Sequence, residues 1–195
     1  MARPVEFEHE AVLNNAMEQF WREGFEASSV QKLLDVTGIN RGTLYNSFGD
    51  KDTFFRACLD QYNQLVAKDI ESSLANAELD PIAAIKAYFD LAVLSVSNKR
   101  RSMGCLLVNS FCESINYDKD IQKTIKSAYG VIRKAMLKRT KDADKAGELK
   151  KGLSAELAAE MLMNTLSGLR VSSREGKPAK QLAEIVDFTI ASIAK

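Results

Sequence analysis

Asn40-Arg41-Gly42-Thr43-Leu44-Tyr45 sets four hydrogen-bonding side chains within six consecutive residues. Each suits a surface of duplex DNA. An arginine guanidinium binds guanine through two hydrogen bonds, and an asparagine amide suits adenine. The hydroxyls of Thr43 and Tyr45 can reach backbone phosphates. Gly42 costs a helix interior about 1 kcal/mol relative to alanine, which makes sense where a helix must approach another surface closely. Other chemistry has few residues to carry it. The 195-residue chain holds one histidine, His9, and three cysteines, Cys58, Cys105 and Cys112, which lack the paired short spacing of a zinc site. There is no Gly-x-x-x-x-Gly-Lys-Ser/Thr loop and no Gly-x-Gly-x-x-Gly after a strand. Any Ser/His/Asp or Cys/His set would need His9. No metal, cofactor or catalytic residue is therefore predicted.

Presenting residues 40–45 requires a helix, and helical periodicity dominates the chain. Leu13, Ala16, Met17 and Phe20 recur at i, i+3, i+4 and i+7, predicting a first helix that stops near Gly24. Val30, Leu33 and Leu34 mark a short second helix, entered through Ser28-Ser29-Val30-Gln31 in capping-box form. Gly38 breaks it, and a third short helix runs from about Asn40 to Phe48, with Leu44 and Phe48 facing inward. Asp50 can cap a long fourth helix beginning at Lys51. Two short helices joined by Thr37-Gly38-Ile39 match a helix-turn-helix. A plain helical hairpin with a polar outer face has the same spacing.

Asp80-Pro81 opens the next helix, with a stripe of Ile82, Ile85, Phe89, Ala92, Val93 and Val96. Asn98 to Gly104 reads as a basic turn before a short apolar helix from about Cys105. Ile121, Ile125, Tyr129, Ile132 and Met136 mark another helix, fading into a polar linker from Lys138 to Gly152. Two more follow, lined by Ala158, Leu162, Thr165, Leu166 and Leu169, and by Leu182, Ile185, Val186, Thr189, Ile190 and Ile193. The chain reads as all-α, with about nine helices. Its 46% hydrophobic and 27% charged residues are those of an ordinary soluble protein. No apolar run reaches the roughly 18 residues that span a bilayer. An odd cysteine count without a secretory leader fits a reducing, cytoplasmic setting.

Charge points the other way. Residues 1–65 carry six Lys/Arg against ten Asp/Glu, so bulk electrostatics would not select this segment as a nucleic-acid face. Only the local placement of Lys32, Arg41 and Lys51 offsets that. The basic stretch from Lys119 to Lys151 reads as a solvated helix face.

Three segments carry a more specific signal: Gly24-Phe25-Glu26-Ala27-Ser28-Ser29-Val30, Thr37-Gly38-Ile39-Asn40-Arg41-Gly42-Thr43-Leu44-Tyr45 and Phe48-Gly49-Asp50-Lys51-Asp52. In residue types and spacing they resemble the DNA-binding domain of TetR-family transcriptional regulators. The resemblance implies a DNA-binding domain over residues 1–50 and a ligand-binding and dimerisation domain over 51–195, linked by a helix over 51–76. It implies a homodimeric repressor on a near-palindromic operator, released by a small-molecule or electrophilic effector. Carried over by position, Asn40, Arg41 and Thr43 would face bases or nearby phosphates. Tyr45, Lys51 and Ser28 or Ser29 would grip phosphates, Lys51 reinforcing the N–H groups that open the fourth helix. Arg3-Pro4 is either a minor-groove arm or a disordered end.

Within the second domain, Arg101-Ser102-Met103-Gly104-Cys105-Leu106-Leu107-Val108-Asn109 resembles a Gly-Cys-Leu segment of a family subset that includes thiol sensors. A helix N-terminus and upstream Lys99, Arg100 and Arg101 favour a Cys105 thiolate; burial as a small apolar residue is the competing reading. An enzyme using Cys105 as nucleophile is the rival class, and it lacks a base. The effector pocket is expected between the fourth to eighth helices, from Tyr62, Tyr88, Phe89, Cys105, Asn109, Phe111, Glu113, Tyr129 and Met161. The dimer is expected through helices 154–174 and 179–194. Its stripe would be Leu182, Ile185, Val186, Ile190 and Ile193, with Ala158, Ala159, Ser167 and Gly168 allowing close approach.

Overall fold

Apolar residues at helical spacing become helices here wherever a cap or a glycine fixes their ends. The computed structural model describes residues 5–195, with side chains from His9 onward; the Arg3-Pro4 arm lies outside the described residues. In chain order the helices are α1 (Val5–Glu23), α2 (Val30–Thr37), α3 (Arg41–Phe48), α4 (Lys51–Ser72) and α5 (Pro81–Phe89). They continue as α6 (Asn98–Ser102), α7 (Leu106–Glu113), α8 (Lys119–Lys145), α9 (Ala155–Glu175) and α10 (Ala179–Ile193). Among the described residues the regular structure is all helical, apart from an isolated bridge between Leu149 and Ala194. The all-α expectation holds.

The chain divides into two compact units: residues up to Leu65 with Asn109–Ser127, and Val66–Val108 with Ala128–Lys195. An aromatic cluster holds the first. Phe55 lies 4.8 Å from Phe20 and 5.0 Å from Phe25 between ring centroids, and Phe48 lies 4.3 Å from Phe54. Leu33 of α2 and Leu44 of α3 are fully buried, fixing which faces of the two short helices stay outside. Ile85, Phe89, Val93, Met136, Leu162, Leu182, Val186 and Ile193 are buried in the second unit.

Several boundaries differ from expectation, each for a local reason. The helix opened by Pro81 changes at Asp90 into a π-helical turn, Asp90–Leu94. Arg101 donates to the carbonyls of Leu94 and Val96, at 2.8 and 3.1 Å, near that turn's end. The basic "turn" that supplies Arg101 is itself a single-turn helix, α6, capped by the Ser97 hydroxyl at 3.3 Å from Arg100 N. The predicted linker after Lys138 is largely helix. Thr140 and Ala143 are fully buried and extend the stripe of Ile132 and Met136, so α8 continues to Lys145. α2 starts one residue later than a capping box on Ser28 would give. Ser29 is its N-cap, accepting from Lys32 N at 3.2 Å, and Gln31 turns instead to Asp35.

Candidate nucleic-acid interface

Each end of α3 is fastened by a residue visible in the sequence, Asn40 before it and Gly49, whose N–H donates to Tyr45 O, after it. Gly38 takes φ +71°, which lets the chain turn sharply out of α2, and its N–H donates to Leu34 O at 2.9 Å. Asn40 is the N-cap, its Oδ1 accepting from Thr43 N at 2.8 Å and from the Thr43 hydroxyl at 3.2 Å. Leu44 and Phe48 anchor the inner face, while Arg41, Gly42, Thr43 and Tyr45 are exposed, Tyr45 to 47%. A Cβ on Gly42 would meet only Asn40 Oδ1, at 3.3 Å. The outer face of α3 is therefore a polar surface resting on two buried side chains.

The predicted contact residues divide on this geometry. Arg41, Thr43, Tyr45 and Ser29 stand exposed. Asn40 keeps its amide N–H groups for outside partners, but its oxygen serves the cap, so a two-bond grip on adenine would compete with the helix start. Ser28 is corrected: it is fully buried and donates to Gly24 O at 2.6 Å, so its hydroxyl ties the turn and faces no phosphate. Lys32, one of the local cations, pairs with Glu23 at 2.7 Å.

The start of α4 already holds an anion. Asp50 Oδ1 accepts from Thr53 N at 2.7 Å, and that bond holds its carboxyl below the usual range. The Lys51 ammonium sits 4.2 Å above the centre of the Phe25 ring. Burial lowers its pKa, with Glu26, Asp52 and Glu113 pulling the other way. Lys51 is thus half-buried on an aromatic platform rather than trailing in solvent.

The residues proposed for an effector pocket fall in both units. Tyr62, Asn109, Phe111 and Glu113 belong to the first unit; Tyr88, Phe89, Cys105, Tyr129 and Met161 belong to the second. Tyr62 packs edge-on to Trp21, and the Asn109 amide donates to Trp21 O at 3.3 Å. In the second unit Tyr88 is buried, which raises its phenol pKa, and it lies within electrostatic reach of Arg170, Cys105, Asp69 and Tyr129. The Tyr129 hydroxyl shares a 2.6 Å hydrogen bond with Ser167. Sequence reasoning missed Asp69 and Arg170, since a charge on a helix reads as solvated unless its neighbours are known. Met161 stands on the exposed side of α9. Cys105 is buried directly before α7, whereas Cys112 is exposed and Cys58 is buried, its thiol pushed up by burial.

A DNA-facing helix-turn-helix on a helical scaffold defines a class of transcription factor, and comparison with known proteins places the chain within it. The family model "Bacterial regulatory proteins, tetR family" matches residues 12–58, and "Tetracyclin repressor-like, C-terminal domain" matches residues 81–187. The HTH-type transcriptional repressor ComR of Escherichia coli K12 is 31% identical over 189 residues, covering 96% of this chain and 90% of ComR. The crystal structure of regulatory protein TetR from Rhodobacter sphaeroides shares the fold with a TM-score of 0.87 at 16% identity, over 96% of this chain and all of that one. A cysteine mutant of the TetR-family regulator CifR, complexed with a 26-base-pair operator, has a TM-score of 0.82 at 20% identity, over 98% of this chain and all of CifR.

The chain belongs to the tetR family of bacterial regulatory proteins. It is a transcriptional regulator and not an enzyme. No helix among the described residues is long and apolar enough to cross a membrane.

Proposed function

We propose that this chain is a cytoplasmic, homodimeric repressor whose two α3 helices enter successive major grooves of a near-palindromic operator, and whose residues 51–195 take a small-molecule effector. The observation that carries the DNA reading is the division of α3: Leu44 and Phe48 inward, Arg41, Gly42, Thr43 and Tyr45 outward. Arg41 reads bases; Thr43, Tyr45, Ser29 and Lys51 hold phosphates; Asn40 donates from its amide. That CifR, of the same fold at 20% identity, is complexed with operator DNA supports duplex DNA as the partner.

A second copy is the partner best suited to the outer face of α9. Leu157, Met161, Asn164, Gly168 and Val171 are all exposed and alternate at steps of four and three, the spacing of a helix–helix seam. Ile185 and Phe188 of α10 are exposed as well. Of the dimer residues named from the sequence, Leu182, Val186, Ile193, Ala158 and Ala159 are buried within the protomer, while Ile185 and Gly168 are exposed. For the effector, the reading points to the buried Tyr88 and Cys105 and to the neighbouring Asp69, Tyr129 and Arg170 that act on Tyr88 electrostatically. A ligand acts there through higher affinity for a conformer whose reading helices are wrongly spaced for DNA.

Selecting duplexes from a randomised pool with the full-length chain tests the DNA reading. An inverted repeat with half-sites about one helical turn apart is expected; recovery of no duplex, or of single half-sites only, would overturn it.

A further inference from the structure

Glu113 occupies a position that its own helix disfavours. It ends α7 and leads into a 3-10 turn, Ser114–Asn116, so its carboxylate lies at the negative end of the helix dipole. Something beyond the helix must hold it, and three contacts do. Glu113 Oε2 accepts from Phe25 N at 3.1 Å and from the Tyr117 hydroxyl at 2.9 Å. The third contact is with Gly24, which takes φ +86°; a Cβ built there would lie 2.2 Å from Glu113 Oε1. The carboxylate thus fills the place of the side chain that Gly24 lacks. One turn earlier on α7, Asn109 donates to Trp21 O. An amide takes a carbonyl from the end of α1 and a carboxylate takes the N–H just beyond it, from two residues on one face of one helix.

The turn held in this way supports the DNA-facing groups on both sides. Gly24 O receives the Ser28 hydroxyl just before α2. The Phe25 ring, packed 5.0 Å from Phe55 and 5.2 Å from Tyr117, carries the Lys51 ammonium. We propose that Glu113 is a positioning residue for DNA binding: without touching DNA, it fixes the Gly24–Phe25 turn and through it sets the entry to α2 and the platform under Lys51. This rests on the DNA-binding reading above. Removing the carboxylate leaves the half-buried Phe25 N–H without its acceptor, and the turn loses the contact that fixes it.

The test measures affinity of the full-length chain for the duplex that the wild type selects from a randomised pool. Glu113→Ala is expected to bind it about tenfold more weakly and to remain a folded dimer. Adding Lys51→Ala to Glu113→Ala should then cost clearly less than Lys51→Ala costs alone, because the ammonium has already lost its setting. Glu113→Gln keeps the shape and one acceptor oxygen, and should recover most of the binding even if the alanine variant folds poorly. Three results overturn the proposal: Glu113→Ala binding within twofold of wild type, fully additive Lys51 and Glu113 effects, or a folded Glu113→Gln no better than alanine. If the wild type selects no duplex at all, the DNA reading fails and this inference with it.

Discussion

The outer faces of α3 and α9 are both exposed, yet they are built on opposite principles. α3 is eight residues long with a glycine at its second position, too short to stand alone in water. Its shape comes from caps at both ends and two buried anchors, which leaves the outer residues free for choice. α9 is 21 residues long and its inner face is continuously buried, from Ala155 through Ala158, Leu162 and Leu166 to Leu169. That packing fixes its shape, yet Leu157 stays 55% exposed, Val171 56% and, on α10, Phe188 77%. A polar surface on a fragile helix is ready for a wet, charged partner; an apolar surface on a sturdy one needs a dry partner.

The largest effect is expected where the apolar face is broken. Val171→Asp with Phe188→Asp changes only side chains exposed in the protomer, so each protomer should fold normally. Sedimentation should show monomer in place of dimer, and affinity for a two-fold duplex should fall about a hundredfold, as avidity is lost. A stable double-mutant dimer would remove these residues from the interface. On the polar face, Arg41→Ala should cost about 1–3 kcal/mol for the selected duplex, with unchanged melting temperature and little change for random DNA. Equal losses on both duplexes would make Arg41 a phosphate contact instead.

A smaller effect belongs to the cap beneath that face. Asp50→Ala should lower stability by about 1 kcal/mol. The bond from Thr53 N depresses the native carboxyl relative to the unfolded chain. The contribution is therefore present above the unfolded carboxylate pKa and is lost as pH falls through the native one. Melting curves of wild type and Asp50→Ala should converge in acid; a gap that persists there would assign the effect to something other than the charged cap.

The comparison also separates what could be read in the sequence from what could not. Gly38, Asn40 and Asp50 act through neighbours three or four residues away, and Leu44 and Phe48 stand four apart on one face, so their roles follow from spacing. Ser28 and Ser29 differ by one residue, and only the fold decides which hydroxyl caps α2 and which turns inward. On α9 and α10 apolar periodicity marks the core-facing stripe, and the sparser outward set of Leu157, Met161, Val171 and Phe188 hides beneath it. Glu113 reads in the sequence as a pocket residue, but its partner Phe25 N lies 88 residues away, beyond the reach of periodicity. In the sequence, local charges favour Cys105, whereas accessibility makes Cys112 the faster thiol: a limiting dose of N-ethylmaleimide should map to Cys112 first. Preferential labelling of Cys105 would restore the reactive-thiolate reading.

Gly42 sets two laboratory selections against each other. Its backbone leaves room for a methyl group with a slight adjustment of Asn40, and alanine is the better helix former by about 1 kcal/mol. A library of this chain sorted for heat resistance should therefore enrich Gly42→Ala, while the same library sorted for repression should discard it.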